Sequence, residues 1–127
     1  MASFIGADIR QEQLFRHLFG LNDLDRKVYG LLNEHDAEMQ LDDLADEVDR
    51  DRSTVYRSVQ RLLNEELVEK KQFNYDTGGY CHVYRAVDPA EAAEKMQNKL
   101  NSMYVDLNFR IQDFREKYRE STEVTQA

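Results

Sequence analysis

The stretch RDRSTVYRSVQRLL, Arg50 to Leu63, narrows what this chain can fold into more than any other, because one helical period carries two unlike faces. Val55, Val59, Leu62 and Leu63 recur at steps of three and four and form a narrow apolar stripe. Arg52, Ser53, Thr54, Tyr56, Arg57, Gln60 and Arg61 fall off that stripe, toward solvent. Asp51 or Ser53 can cap the start, since a short side-chain oxygen accepts from the free backbone N–H groups of a first turn. The outward set combines cations suited to phosphate, short hydroxyls that fit close to a backbone, and amide and guanidinium groups that can read base edges.

The flanking segments give that helix its setting. Leu41 to Val48 reads as a short helix with Leu41, Leu44, Ala45 and Val48 inward, and the small Ala45 lets another helix cross closely. Asp49, Arg50 and Asp51 then make a tight polar turn. A short helix, a tight turn and a second helix with an Arg/Ser/Thr/Tyr face form the helix-turn-helix pattern. After Asn64-Glu65-Glu66 the period changes to that of strands. Leu67 to Phe73 and Tyr80 to Val87 are β-rich runs around NYDTGG, where Gly78 and Gly79 can supply positive φ in the turn. Such a hairpin, directly after a recognition helix, is a wing that lies against a phosphate backbone or minor groove. Lys70, Lys71, Tyr75, Tyr80, His82 and Arg85 are its candidate contacts, with Lys70 and Lys71 on opposite faces.

Earlier in the chain, about Asp8 to Phe19 reads as a helix with Ile9, Phe15, Leu18 and Phe19 on its apolar side. A second follows, capped by Asn22 or Asp23, with Leu24, Val28, Leu31 and Leu32 in period and Gly30 available for close packing of a neighbour. Glu38 to Gln40 reads as a very short strand. Asp88-Pro89-Ala90-Glu91 is a strong helix start, with Asp88 as cap and Glu91 completing a capping box. Nothing breaks the helix from there to about Glu120. Met96, Leu100, Met103, Leu107, Ile111, Phe114 and Tyr118 run along it at steps of three and four, with Tyr104, Val105 and Phe109 beside them. A helix of about 30 residues spans about 45 Å, more than so small a domain can cover. A second copy of the chain is the simplest partner, in a coiled-coil-like pairing.

The chain has 127 residues and a formal net charge of -8, which argues against indiscriminate binding to nucleic acid. The charge is not evenly spread. Every charged residue from Glu34 to Asp49 is acidic, whereas Arg50 to Arg61 holds four arginines against one aspartate. This is a basic footprint on an acidic body. Abundant Asp and few Lys beside Arg fit a hydrated surface adapted to high salt. The single cysteine, Cys81, excludes an internal disulfide framework. Without a long apolar run or a signal-like N-terminus, the expected location is cytoplasmic and reducing, with no membrane partner. There is no phosphate-cradling glycine loop, plausible triad or paired acids, so an enzyme is not expected. No His/Cys cluster points to a metal, no cofactor or small-molecule ligand is implied, and His17 is surface or boundary. Two other readings remain: a winged helix that docks proteins, and a thiol-responsive regulator using Cys81, which would need an exposed, low-pKa thiolate.

The stretches LNDLDRKVYGLL, LDDLADEVDRDRSTVYRSVQRLLNEELVEKK and YRAVDPAEAAEKM resemble the DNA-binding region of the archaeal TrmB-like transcription regulators, in the broad winged-helix group with MarR-like and PadR-like regulators. The resemblance covers about Leu21 to Leu100. It implies sequence-specific binding to double-stranded DNA by a homodimer, and puts Arg52, Ser53, Thr54, Tyr56, Arg57, Gln60 and Arg61 on the recognition helix. Larger relatives carry a C-terminal sugar-binding domain, whereas this sequence ends after one long helix, so sugar sensing is not expected.

The expected fold is mainly α with a small β-wing: a winged helix-turn-helix with an N-terminal helix and a long C-terminal dimerisation helix. Residues 1–20 would form an N-terminal helix with dimer contacts, 21–87 the DNA-binding domain, 88–120 the dimerisation helix and 121–127 a flexible tail. The expected DNA contacts are Arg50, Arg52, Ser53, Thr54, Tyr56, Arg57, Gln60, Arg61, Lys70, Lys71, Tyr80 and His82. The expected dimer seam is Met96, Leu100, Met103, Leu107, Ile111, Phe114 and Tyr118.

Overall fold

The computed structural model describes residues 10–35 and 38–126, with side chains for 10–34 and 38–119. The order is α1 (Leu14–Phe19), α2 (Asp23–His35), α3 (Leu41–Val48), α4 (Arg52–Asn64), β1 (Val68–Asn74), β2 (Tyr80–Ala86) and α5 (Pro89–Gln126). A two-stranded antiparallel hairpin thus follows a helix-turn-helix, and one long helix leaves the body.

The periodic residues build the core they forecast. Val28 and Leu32 of α2, Leu44 of α3, and Val55, Val59 and Leu62 of α4 are fully buried, together with Leu67 at the entrance to β1. Leu24, Leu31, Val48 and Leu63 pack half-buried around them. Tyr29 ties α2 to the far end of the hairpin, its hydroxyl donating to the Val87 carbonyl at 2.9 Å. Burial, then the nearby Asp88 and Glu91, push the Tyr29 pKa up.

The helix ends explain themselves. Asn22 caps α2 reciprocally: its Oδ1 accepts from the Asp25 N–H at 2.9 Å, and Asp25 Oδ2 accepts from the Asn22 N–H at 3.0 Å. The turn between α3 and α4 lacks glycine, and Asp49 takes the left-handed position there at φ 54°. At the end of α4, Glu66 does the same at φ 59°, so that Leu67 N donates to Leu62 O at 3.0 Å. Gly78 and Gly79 supply the positive φ of the hairpin turn, at 94° and 87°.

Four local expectations are revised. The first helix is a single 3-10 turn at Gln11–Gln13 followed by the short α1, ended by Gly20 at φ 70°; Ile9 lies outside the described residues. Gly30 admits no close neighbour, because a Cβ added there would meet nothing within 4 Å. Glu38 to Gln40 contributes one bridge, Met39 to Tyr84, rather than a strand. The last helix runs on to Gln126, past the expected end near Glu120.

α5 has 38 residues and so spans about 57 Å. Among the described residues only its root touches the body. Ala92 is buried, Met96 packs against the core, Lys95 and Lys99 pair with Glu66 and Glu65 at 3.4 Å each, and Lys99 lies 6.0 Å from the Phe19 ring centre. From Gln97 to Arg119 every side chain is exposed.

Candidate nucleic-acid interface

Asp51 sets the start of α4. Its carboxylate accepts from Thr54 N at 3.2 Å, from Thr54 Oγ1 at 2.6 Å and from the Ser53 hydroxyl. These bonds hold the Asp51 carboxyl well below the usual carboxylate range, the Ser53 hydroxyl contributing most. The consequence differs from the sequence expectation for Ser53 and Thr54. Their hydroxyl protons are already given to Asp51, so neither is a ready donor for a phosphate. Thr54 Oγ1 in turn accepts from Arg57 Nη2 at 3.3 Å, which steadies that guanidinium.

The cations separate into two groups. Arg50, Arg57 and Lys70 have no acidic partner among the described residues, and all three are exposed. Arg52 pairs with Asp42 at 2.9 Å in an open setting, a contact that water and salt weaken. Lys71 pairs with Glu38 and Arg85 with Glu69, each at 3.4 Å. The strand register explains the split. Lys70 opposes Tyr84, Gln72 opposes His82 and Asn74 opposes Tyr80 on one face, while Lys71 opposes Val83 and Phe73 opposes Cys81 on the other.

The first of those wing faces meets α4. Arg52, Ser53, Tyr56 and Arg57 share a concave cleft of about 820 Å³ with Tyr80, Cys81, His82 and Tyr84 of β2 and with Gln40 to Asp42. The Tyr80 and His82 rings stack edge-on at 5.6 Å. Tyr84 is buried at the cleft floor, where burial above all, then the neighbouring Tyr56, raises its pKa. The neighbouring Cys81 raises the Tyr75 pKa.

Of the three arginines of α4, Arg61 is the one turned inward. Its Nε donates to Asp25 Oδ2 and its Nη2 to Asp25 Oδ1, both at 2.9 Å, and these bonds raise the arginine pKa. Asp25 is fully buried, and Ser58 Oγ donates to it at 2.5 Å. Nothing local in the sequence marks Asp25 or Ser58 as partners of this arginine. An acid in the first turn of a helix reads as an end charge, and its cation lies 36 positions away. Gln60 is half-buried.

Cleft, turn and hairpin together define the winged helix-turn-helix class of transcription regulators. Residues 16–90 match the model of the family described as "Sugar-specific transcriptional regulator TrmB", and the chain belongs to that family. An uncharacterized protein of Methanocaldococcus jannaschii is 40% identical over 88 residues, 69% of this chain and 65% of that relative, so the match spans a little under two thirds of its length. Among solved structures, a possible transcriptional regulator from Methanosarcina mazei superposes with a TM-score of 0.76 at 27% identity, covering 89% of this chain and 95% of the other. The oligodeoxyribonucleotide-bound MepR of S. aureus shares the fold at a TM-score of 0.52 and 13% identity, covering 91% of this chain and 82% of that one. Both family and fold are those of regulators rather than enzymes. Among the described residues no helix is long and apolar enough to cross a membrane, and no group of three or more His, Cys, Asp or Glu could hold a metal ion.

Proposed function

We propose that this chain is a sequence-specific regulator of transcription that binds double-stranded DNA as a homodimer on a pseudo-palindromic operator. One observation carries the reading: Arg52, Tyr56 and Arg57 of α4 and Tyr80 and His82 of the wing line a single cleft. The N-terminal half of α4 would enter the major groove, and the wing would lie along the backbone or minor groove. Arg57 and Arg50, which have no acidic partner among the described residues, are the leading contacts to bases or phosphates, followed by Arg52 once DNA competes with Asp42. Gln60 is a further base-edge candidate, and Lys70, Tyr80 and His82 are the wing contacts. Ser53 and Thr54 act through the Asp51 cap, which fixes where α4 begins. Lys71 would reach DNA only by leaving Glu38. MepR, of the same fold, was solved with an oligodeoxyribonucleotide.

The homodimer reading rests on α5. Leu100, Met103, Leu107, Ile111, Phe114 and Tyr118 all stand at least 40% exposed in the single chain. So long an apolar stripe on one helix is a surface that a second copy would cover. Two recognition helices would then sit about 34–36 Å apart, in successive major grooves on one side of the duplex.

The experiment is a selection of duplexes from a random pool by the intact protein, followed by fluorescence anisotropy. Enrichment of a two-fold symmetric motif, bound far more tightly than a scrambled duplex, is the expected result. Failure to enrich any duplex would overturn the proposal and favour a protein-docking role for the same winged fold.

A further inference from the structure

We infer that Asp25 is a positioning residue for sequence reading, which fixes the rotation of α4 about its own axis through Ser58 and Arg61. The inference rests on the proposed DNA-binding role.

Asp25 sits at the N-terminal turn of α2 and has no exposed surface. One of its oxygens accepts from Ser58 Oγ at 2.5 Å and from Arg61 Nη2 at 2.9 Å. The other accepts from Arg61 Nε at 2.9 Å and from the Asn22 N–H at 3.0 Å. Ser58 and Arg61 are three positions apart, so they lie on one side of α4 and hold that side against α2. Tyr56 and Arg57 are exposed, with Arg57 one turn before Arg61, so a rotation about the axis of α4 carries them with it. Apolar contacts of Val55, Val59 and Leu62 set how closely α4 packs, but they are non-directional and tolerate small rotations. A carboxylate held in bidentate geometry is directional and does not. Side-chain tips lie about 5–6 Å from a helix axis, so a rotation of about 20° moves them by about 2 Å. That displacement is enough to break paired hydrogen bonds to a base edge while leaving contacts to phosphate within reach of a long side chain.

Asp25 therefore acts on discrimination rather than on attraction to DNA. Asp25→Asn keeps the shape, but its NH2 group faces donors and its charge is gone. Arg61 is then released as an additional outward cation. Ser58→Ala is a milder test of the same contact, in a helix that tolerates alanine well.

Affinities of wild type, D25N and S58A are measured by anisotropy on the duplex that the wild-type protein selects from a random pool and on a scrambled duplex of equal length. Thermal melts establish that each variant is folded. The expected result for D25N is a fall of about tenfold in the ratio of selected to scrambled affinity. Its affinity for the scrambled duplex should hold or rise, with a salt slope steeper by about 0.9 per subunit. S58A should lower the ratio in the same direction by less, and it decides the matter alone if D25N does not fold. Equal losses on both duplexes would reduce Asp25 to a stability role and overturn the inference, as would an unchanged ratio in the folded variants. A wild-type protein that selects no duplex would instead remove the DNA-binding proposal itself.

Discussion

Replacing Leu107 and Ile111 together by Glu should take the proposed dimer apart, and the structure sets the scale. Both side chains are 54% exposed in the single chain, one helical turn apart on α5. Burying a whole Leu or Ile side chain is worth about 1.5–3 kcal/mol, so covering the open half of either is worth about 1 kcal/mol. In a twofold assembly each position counts twice, and the two positions hold about 4 kcal/mol of the association free energy. Its loss alone weakens the dimer about a thousandfold, before the added cost of burying carboxylates at the seam. Sedimentation equilibrium at micromolar concentration reads the mass directly. Far-ultraviolet circular dichroism and a thermal melt of the same sample show whether the winged body is intact. A variant that sediments at the wild-type mass would refute the placement of the seam on this face. A wild-type protein that is monomeric over the whole micromolar range would refute the dimer.

Three further outcomes are expected. Arg57→Ala should weaken binding to the selected duplex and lower the salt slope by about 0.9 per subunit; an unchanged slope in a KCl series would show that Arg57 does not reach phosphate. Tyr29→Phe leaves the Val87 carbonyl without its donor in a buried place, and should cost about 1–3 kcal/mol in urea unfolding; a cost near zero would mean that water replaces the hydroxyl. Asp51 is held below its ordinary value of 3.8, so its stabilisation is present above that pH and is lost as pH falls through it toward the lower folded value. The gap in urea stability between wild type and Asp51→Ala should therefore be constant near neutrality and narrow below pH 3.8; a gap independent of pH would contradict the hydrogen-bond account.

The apolar framework was legible from the order of residues, because it depends on local period. Val55, Val59 and Leu62 repeat at the spacing of one helix face, and all three are fully buried. The alternation around Gly78 and Gly79 fixed the hairpin in the same way, with Tyr80 and His82 falling on the side that meets α4. Polar pairing was not legible, because it depends on partners far apart in sequence. Arg61 reads as an outward cation from its own helix, and only the packing of α2 reveals the carboxylate that turns it inward. Ser53 and Thr54 read as free hydroxyls until the Asp51 side chain is placed. Gly30 shows the converse error: a small residue invites a tale of close packing, yet the space beside it is open.

Among the described residues the hairpin is braced near its stem. Met39 and Tyr84 exchange backbone hydrogen bonds of 3.0 and 2.8 Å, while every residue from Glu69 to Tyr80 is exposed. The outer rungs therefore contribute little to what keeps the molecule folded. Evolution, or a protein engineer, can lengthen, shorten or recharge that fingertip at Asp76 and Thr77 almost independently of the rest, retuning what it touches while the scaffold stays as it is.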